Sequence, residues 1–314
     1  MGVIKKEVTI ISILQRYEGQ RLDNFLFREL KGVPRSRVYR LIRRGEVRVN
    51  KKRCKPDLKL RAGDDVRVPP IKVKSDRKVG GISQGLTDRL TGSVLYETDL
   101  ILVLNKPAGL SVHGGSGVGL SLIDALRQIK TDWSELELVH RLDRGTSGCL
   151  LLTKNTNVLK YLQNEFKLRS VEKRYLVLVH GCWPKDLVKI KAPLQKNEMR
   201  SGERIVKVTA GGKKSETRFR LLETYHNASL VEANPVTGRT HQIRAHCQHA
   251  GYPIIGDQKY GSKVDPKRLK GINTLCLHAS HIRFSDPASD SYLEIDAPVD
   301  KFFLIALDKI KLNV

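Results

Sequence analysis

The sequence VHRLDRGTSGCLLLT at residues 139–153 changes character two-thirds of the way along. Its first ten residues hold His140, Arg141, Asp143, Arg144, Thr146 and Ser147 together with two glycines; its last five are almost wholly apolar. A short apolar run behind turn residues reads as a buried strand, so the polar part reads as a loop that feeds it. A loop this rich in charged and hydroxyl groups is costly to bury unless it serves a site.

Outward from this stretch the same pattern repeats. Apolar runs at residues 100–104, 175–179 and 228–232 predict further buried strands. Residues 158–169 predict an amphipathic helix, and residues 240–250 a helix that follows the Gly238 turn. Strands and short helices interleave without strict alternation. We therefore expect an α+β catalytic domain over residues 94–314, built on a mixed, mainly antiparallel sheet with flanking helices, rather than a doubly wound fold.

The first part of the chain differs in charge. Across 314 residues, 57 Lys and Arg against 33 Asp and Glu give a net charge of +24, which favours a polyanionic partner. Residues 1–70 contain 19 basic and 8 acidic side chains, so a net +11 sits on 70 residues and only +13 on the other 244. Leu22, Phe25, Leu26 and Leu30 recur at helical spacing. A second helix is expected from Ser36 to Arg44, stopped by Gly45, with Val38, Leu41 and Ile42 on one face and Arg37, Arg40, Arg43 and Arg44 directed elsewhere. Residues 46–53 alternate as a strand, a turn at Asn50 and Lys51, and a return. Residues 1–18 read as an extension and residues 71–93, rich in Gly, Ser and charge, as a flexible linker.

Common enzyme templates do not fit the loop at residues 139–148. Ser147 lacks the G-x-S-x-G elbow because Cys149 stands at the second glycine, and there is no HExxH, Walker loop or G-x-G-x-x-G cradle. A single carboxylate among cations remains. Asp143 beside arginine either stays ionised as a nucleophile or base, or caps a turn in an ordinary salt bridge; residue types leave both readings open. The five cysteines are scattered with no CxxC pair, so neither a zinc site nor a disulfide framework is expected and a reducing cytoplasm is the expected setting. The opening MGVIKKEVTI has no long apolar stretch, which argues against a secretory leader or membrane span.

HRLDRGTSG at residues 140–148 resembles the signature H-R-L-D-x-x-T-S-G of the RluA-type family of RNA pseudouridine synthases. Further pieces of that family's pattern follow the same order: NKPAG at 105–109, HGGSG at 113–117, KRYL at 173–176, PVTGRTHQIR at 235–244, GYPIIGD at 251–257 and LCLHA at 275–279. GQRLDNFL, SRVYRLIRRGEVRVN and LRAGDDVRV, within residues 19–70, resemble an S4 RNA-binding domain. Two departures are Gly145, where many relatives carry an acid, and Tyr252, where histidine is common.

The resemblance implies an isomerase that needs no cofactor and no metal. Its essential residue would be Asp143, which either attacks the ribose or removes its 2′ proton. Tyr175 would stack on the target base, and Arg244 would pair bidentately with Asp143. Arg141 would fill the space left by a flipped uridine, and Leu277 and Leu275 would wall the base. His140, His113 and His241 are expected to contact RNA or shape loops. Arg37, Arg40, Arg43, Arg44, Lys51 and Lys52 would lie against phosphates. The HGGSG turn, the S4-like domain and the LELVHRLDR context resemble the RluC-type branch, which implies several uridines of bacterial 23S ribosomal RNA as substrate. A monomer without membrane association is expected.

Overall fold

The computed structural model describes residues 2–5, 7–30, 33, 35–73, 82–113, 120–198, 204–261 and 272–312. They divide into two compact units, residues 1–81 and 82–314.

In the first unit, strands β1 (Gly2–Lys5) and β2 (Thr9–Ser12) precede helices α1 (Leu22–Glu29) and α2 (Arg35–Arg44). Strands β3 (Arg48–Val49), β4 (Lys52–Arg53), β5 (Asp65–Val68) and β6 (Ile71–Val73) follow. The helices form as the spacing predicts: Leu22, Phe25, Leu26, Val38, Leu41 and Ile42 are buried together, while Arg40, Arg43 and Arg44 face solvent and Arg37 is half-buried. Gly45, at φ +72, ends α2 in the left-handed region that a side chain would disfavour. Asn50 and Lys51 both take positive φ, the geometry of a two-residue hairpin turn whose twist matches its strands.

The expected N-terminal extension is part of this unit. β2 pairs with β5 in the sheet β2-β5-β3-β4, and β1 pairs with β6. The expectation of a linker at 71–93 is corrected at both ends, since residues 71–73 are a strand and Gln84–Thr91 form helix α3, while residues 74–81 lie outside the described residues. Ser83 caps α3 by accepting the Leu86 N–H, and Leu90 anchors it in the core of the second unit. With Gly, Thr and Asp among its eight residues this helix has weak local propensity, and burial of Leu90 stabilises it instead.

The second unit contains strands β7 (Val94–Glu97), β8 (Ile101–Lys106), β9 (Glu137–Leu138), β10 (Ser147–Thr153), β11 (Glu172–His180) and β12 (Lys189–Lys191). Strands β13 (Leu194–Glu198), β14 (Arg204–Val208), β15 (Glu216–Tyr225), β16 (Ala228–Pro235), β17 (Leu277–Ser285) and β18 (Tyr292–Asp296) complete it. Helices α4 (Leu122–Ile129), α5 (Thr156–Leu168), α6 (Gln242–His249) and α7 (Lys301–Leu312) flank them. The main sheet runs β12-β15-β16-β11-β17-β10-β8-β7, with β18 beside β17 and β9 beside β10. Among the described pairs only β10 with β17 is parallel, so the expected mixed, mainly antiparallel sheet is what forms.

That parallel contact is close. Gly148 sits at φ +103, and a Cβ there would come within 2.2 Å of the Ala279 carbonyl oxygen. Glycine is required at this point of the signature for packing, not for chemistry. Two apolar cores lie along the sheet. Leu102, Leu104, Leu150 and Leu152 pack with α3, α4 and α5 residues in one; Val177, Val179, Val231 and Phe303 pack in the other. Tyr175 in β11 touches both.

Candidate active site

The loop before β10 is a tight turn fixed from three directions. The Thr146 N–H donates to the Asp143 carbonyl at 3.1 Å, and the Gly109 N–H donates to the Arg144 carbonyl at 2.8 Å. The Arg144 Nε returns a bond to the Gly109 carbonyl at 3.0 Å. Lys106, 0% exposed, directs its Nζ at the carbonyls of Pro107, Leu110 and Arg144, at 2.9, 3.0 and 3.3 Å. Burial pushes its pKa down to about 7, opposed by the charge of Asp143. This lysine of the NKPAG stretch had no assigned role from sequence; the structure makes it the clamp on the Asp143 turn.

Asp143 lies in a cleft of about 330 Å³, within the range of small-molecule sites. Arg141, Lys173, Arg239 and Arg244 contribute positive charge to its lining, and Asp143 is the one carboxylate among the described lining residues. Tyr175 and Leu277 supply flat and apolar surface. Strand register brings these two together: Tyr175 lies opposite Ala279, and Val177 opposite Leu277, across β11 and β17. A bulge between Arg174 and Tyr175 interrupts that register, a common device for re-aiming a side chain beside a site. Burial and the nearby charge of Asp143 raise the Tyr175 pKa, so the phenol keeps its proton.

Arg244 reaches Asp143, but not as a fork. One terminal nitrogen donates to Asp143 Oδ2 at 3.2 Å. The bidentate partner is Asp257, with Arg244 Nε to Oδ2 at 2.7 Å and the second terminal nitrogen to Oδ1 at 2.8 Å. Asp257 Oδ1 also accepts the Lys259 and Tyr260 N–H groups at 3.0 and 3.1 Å. The expectation of a bidentate Arg244–Asp143 pair is thus corrected. A guanidinium can fork at its side edge (Nε with one terminal nitrogen) or at its end; the sealed carboxylate of Asp257, at 0% exposure, holds the side edge, and Asp143 meets the end through one terminal nitrogen alone. Burial lowers the Arg244 pKa, but its bond to Asp257 and the charges of both carboxylates outweigh that and raise it. Asp257 closes the GYPIIGD stretch; sequence showed it in a motif without showing what it holds.

Several residues expected to touch RNA take other positions. His140 lines the cleft, yet its Nε2 accepts the Leu151 N–H at 3.0 Å and its ring stacks on Phe166 at 4.9 Å. Burial and the Lys173 charge push it down to about 3, so it is a neutral part of the scaffold. His113 is exposed and is not among the residues lining the cleft; the glycines after it, residues 114–119, lie outside the described residues. His241 lines the cleft, 3.7 Å from Asp143 Oδ2. Leu275, unlike Leu277, is not part of the described lining and instead faces Gly145, where a Cβ would approach it to 3.2 Å. Tyr252 packs on Trp183 at 5.3 Å in the second core. Lys51 and Lys52 are exposed on the hairpin of the first unit.

A double-carboxylate hydrolase needs two acidic groups facing the substrate. Asp257 is sealed behind Arg244 and does not line the cleft. Among the described residues, no group of three or more His, Cys, Asp or Glu is arranged to hold a metal ion, and no helix is long and apolar enough to cross a membrane.

Comparison with known proteins agrees in each part of the chain. Residues 100–249 match the family described as RNA pseudouridylate synthase, and residues 20–66 match the S4 domain. Over 313 residues the chain is 47% identical to ribosomal large subunit pseudouridine synthase C of Haemophilus influenzae, covering 98% of this chain and 97% of that protein. It is 47% identical over 310 residues to the protein of the same name from Escherichia coli K12, covering 97% of each. The structure of human RNA pseudouridylate synthase domain containing 4 superposes with a TM-score of 0.61 at 25% identity, covering 72% of this chain and 96% of that one.

Proposed function

The chain belongs to the RNA pseudouridine synthase family, and from that premise we propose that it converts several uridines of bacterial 23S ribosomal RNA to pseudouridine, with Asp143 as the reacting carboxylate. The observation that carries the residue assignment is Asp143, the one carboxylate among the described lining residues of a cationic cleft, anchored through one oxygen by Arg244. The other oxygen, Oδ1, is left to meet the ribose.

The reaction breaks the N-glycosidic bond, turns the uracil over and joins its carbon 5 to the same sugar. Atoms and electrons balance within the nucleotide, so the proposal requires no cofactor. A uridine stacked in RNA hides its sugar carbon; flipping it out costs a few kcal/mol. Tyr175 offers a face for the extruded base and a phenol for proton transfer, and Leu277 offers an apolar wall. Arg141, exposed at the cleft, is suited to fill the vacated stack. Arg37, Arg40, Arg43, Arg44, Lys51 and Lys52 of the S4 unit bind phosphates and position the RNA without reading its bases. The enzyme is proposed to act in the cytoplasm, as a monomer, on free RNA or an assembly intermediate.

The test is pseudouridine mapping on unmodified 23S ribosomal RNA incubated with wild type and with Asp143→Asn. New pseudouridines from wild type only are expected. Product from both proteins would remove Asp143 from the mechanism, and product from neither, with RNA still bound, would point to a different RNA substrate.

A further inference from the structure

His241 has a backbone that costs energy to hold and a ring whose two nitrogens face a phenol and a carboxylate. At φ 52 and ψ 24 it is a left-handed residue immediately before α6, an uncommon conformation for a side chain bearing a Cβ. Its Nδ1 lies 2.9 Å from the Tyr260 hydroxyl, and its Nε2 lies 3.7 Å from Asp143 Oδ2. Tyr260 is 1% exposed, and its oxygen accepts the Val206 N–H from β14 at 2.9 Å.

These contacts order the protons. Burial raises the Tyr260 phenol to about 12, so it is protonated at neutral pH. Its oxygen already receives one N–H, which leaves the phenol proton free to donate to Nδ1. A neutral imidazole that accepts at Nδ1 carries its own proton on Nε2, the atom facing Asp143. The opposite tautomer would turn a lone pair toward the carboxylate. Around the ring stand Asp143, Asp257, Arg244, Lys259 and Tyr260, and burial with the two cations outweighs the acids in lowering the histidine.

We propose that His241, oriented by Tyr260, is a positioning residue that directs an Nε2–H at Asp143 Oδ2 and so leaves Oδ1 as the reacting oxygen. Arg244 binds the same Oδ2. Two donors on one oxygen fix the plane of the carboxylate, which a single Arg244 bond leaves free to rotate. A separation of 3.7 Å is longer than a hydrogen bond, and catalytic contacts of this kind commonly tighten when substrate enters. The inference rests on Asp143 being the reacting carboxylate.

Two substitutions separate positioning from RNA contact. His241→Asn suits the left-handed backbone and keeps an amide near Nδ1 for Tyr260, but removes the donor to Asp143. His241→Gln carries an amide nitrogen near the position of Nε2. Pseudouridine formation at saturating 23S RNA should fall about 10- to 100-fold in His241→Asn, the scale of losing one oriented donor to a charged group. His241→Gln should recover most of it, with KM unchanged in both. A raised KM at intact kcat, or a His241→Asn enzyme at wild-type kcat while Asp143→Asn is inactive, overturns the inference alone. An active Asp143→Asn overturns the carboxylate reading and this inference with it. Nitrogen-15 spectra of histidine-labelled wild type give an independent reading that does not need His241→Asn to fold. The Nε2–H tautomer for His241 is expected, with a mixture in Tyr260→Phe, and an Nδ1–H tautomer in wild type overturns the proposal.

Discussion

Replacing Asp257 by asparagine tests how far the site depends on a residue sealed from the cleft. The carboxylate accepts four N–H groups while fully buried: two from Arg244, and one each from Lys259 and Tyr260. An asparagine can keep its single oxygen toward the three donors at Oδ1. Its NH2 then faces Arg244 Nε across the 2.7 Å now spanned by a bond. One charge-assisted bond is lost, two donors are opposed, and the buried guanidinium is left with Asp143 as its carboxylate partner, through a single contact. Breaking a buried pair on one side costs about 3–5 kcal/mol; the surviving oxygen places this substitution near the lower figure. For a unit the size of residues 82–314, about 3 kcal/mol corresponds to a fall of roughly 6–12 °C in Tm. Arg244 also loses its aim, so kcat should drop at least about tenfold. Calorimetry and single-turnover assays on the same preparation read both effects. A Tm within about 2 °C of wild type together with unchanged kcat would refute the claim that the Asp257 fork orients Arg244.

Two further outcomes are expected. Lys106→Met leaves the Pro107 and Leu110 carbonyls without their Nζ partner and loosens the Asp143 turn; at about 1–3 kcal/mol per unsatisfied group, urea unfolding should show a loss of about 2–6 kcal/mol. Stability should also fall in mild acid. Burial holds His140 down at about 3 and lowers His180, His246 and His278 as well. Below the ordinary value of 6.5 the unfolded chain therefore binds more protons than the folded one. Stability is full above that pH and is lost as pH falls from 6.5 toward 3, by up to about 1.4 kcal/mol per pH unit for His140 alone. Urea midpoints that stay flat between pH 7 and 5, or a slope unaltered in His140→Gln, would contradict this.

Much of the molecule is written locally. Period and punctuation place α1 and α2 with their buried leucines, the Asn50–Lys51 turn, and the strands at 101–106, 147–153, 172–180 and 228–235. The order of motifs singles out Asp143, Tyr175 and Arg244, which do meet in one cleft. Other elements left weaker traces. Strand β1 is only four residues long and helix α3 is short and polar; they exist because pairing with β6 and burial of Leu90 stabilise them. No window of sequence contains those partners.

The sequence by itself determined the neighbourhood of Asp143 along the chain, the charge of the S4-like unit and the alternation that builds the sheet. These follow from near-neighbour chemistry and from period. Tertiary structure alone decided who shares whom. Asp257 takes the fork of Arg244 across 13 residues, Lys106 clamps Arg144 across 38, and Asp143 meets Arg244 across 101. A guanidinium has five N–H donors on two edges that can fork, an ammonium three protons and a carboxylate two oxygens. Which partner claims each is settled by distance and burial in the folded chain, and residue type cannot rank partners that only the fold brings within hydrogen-bond reach.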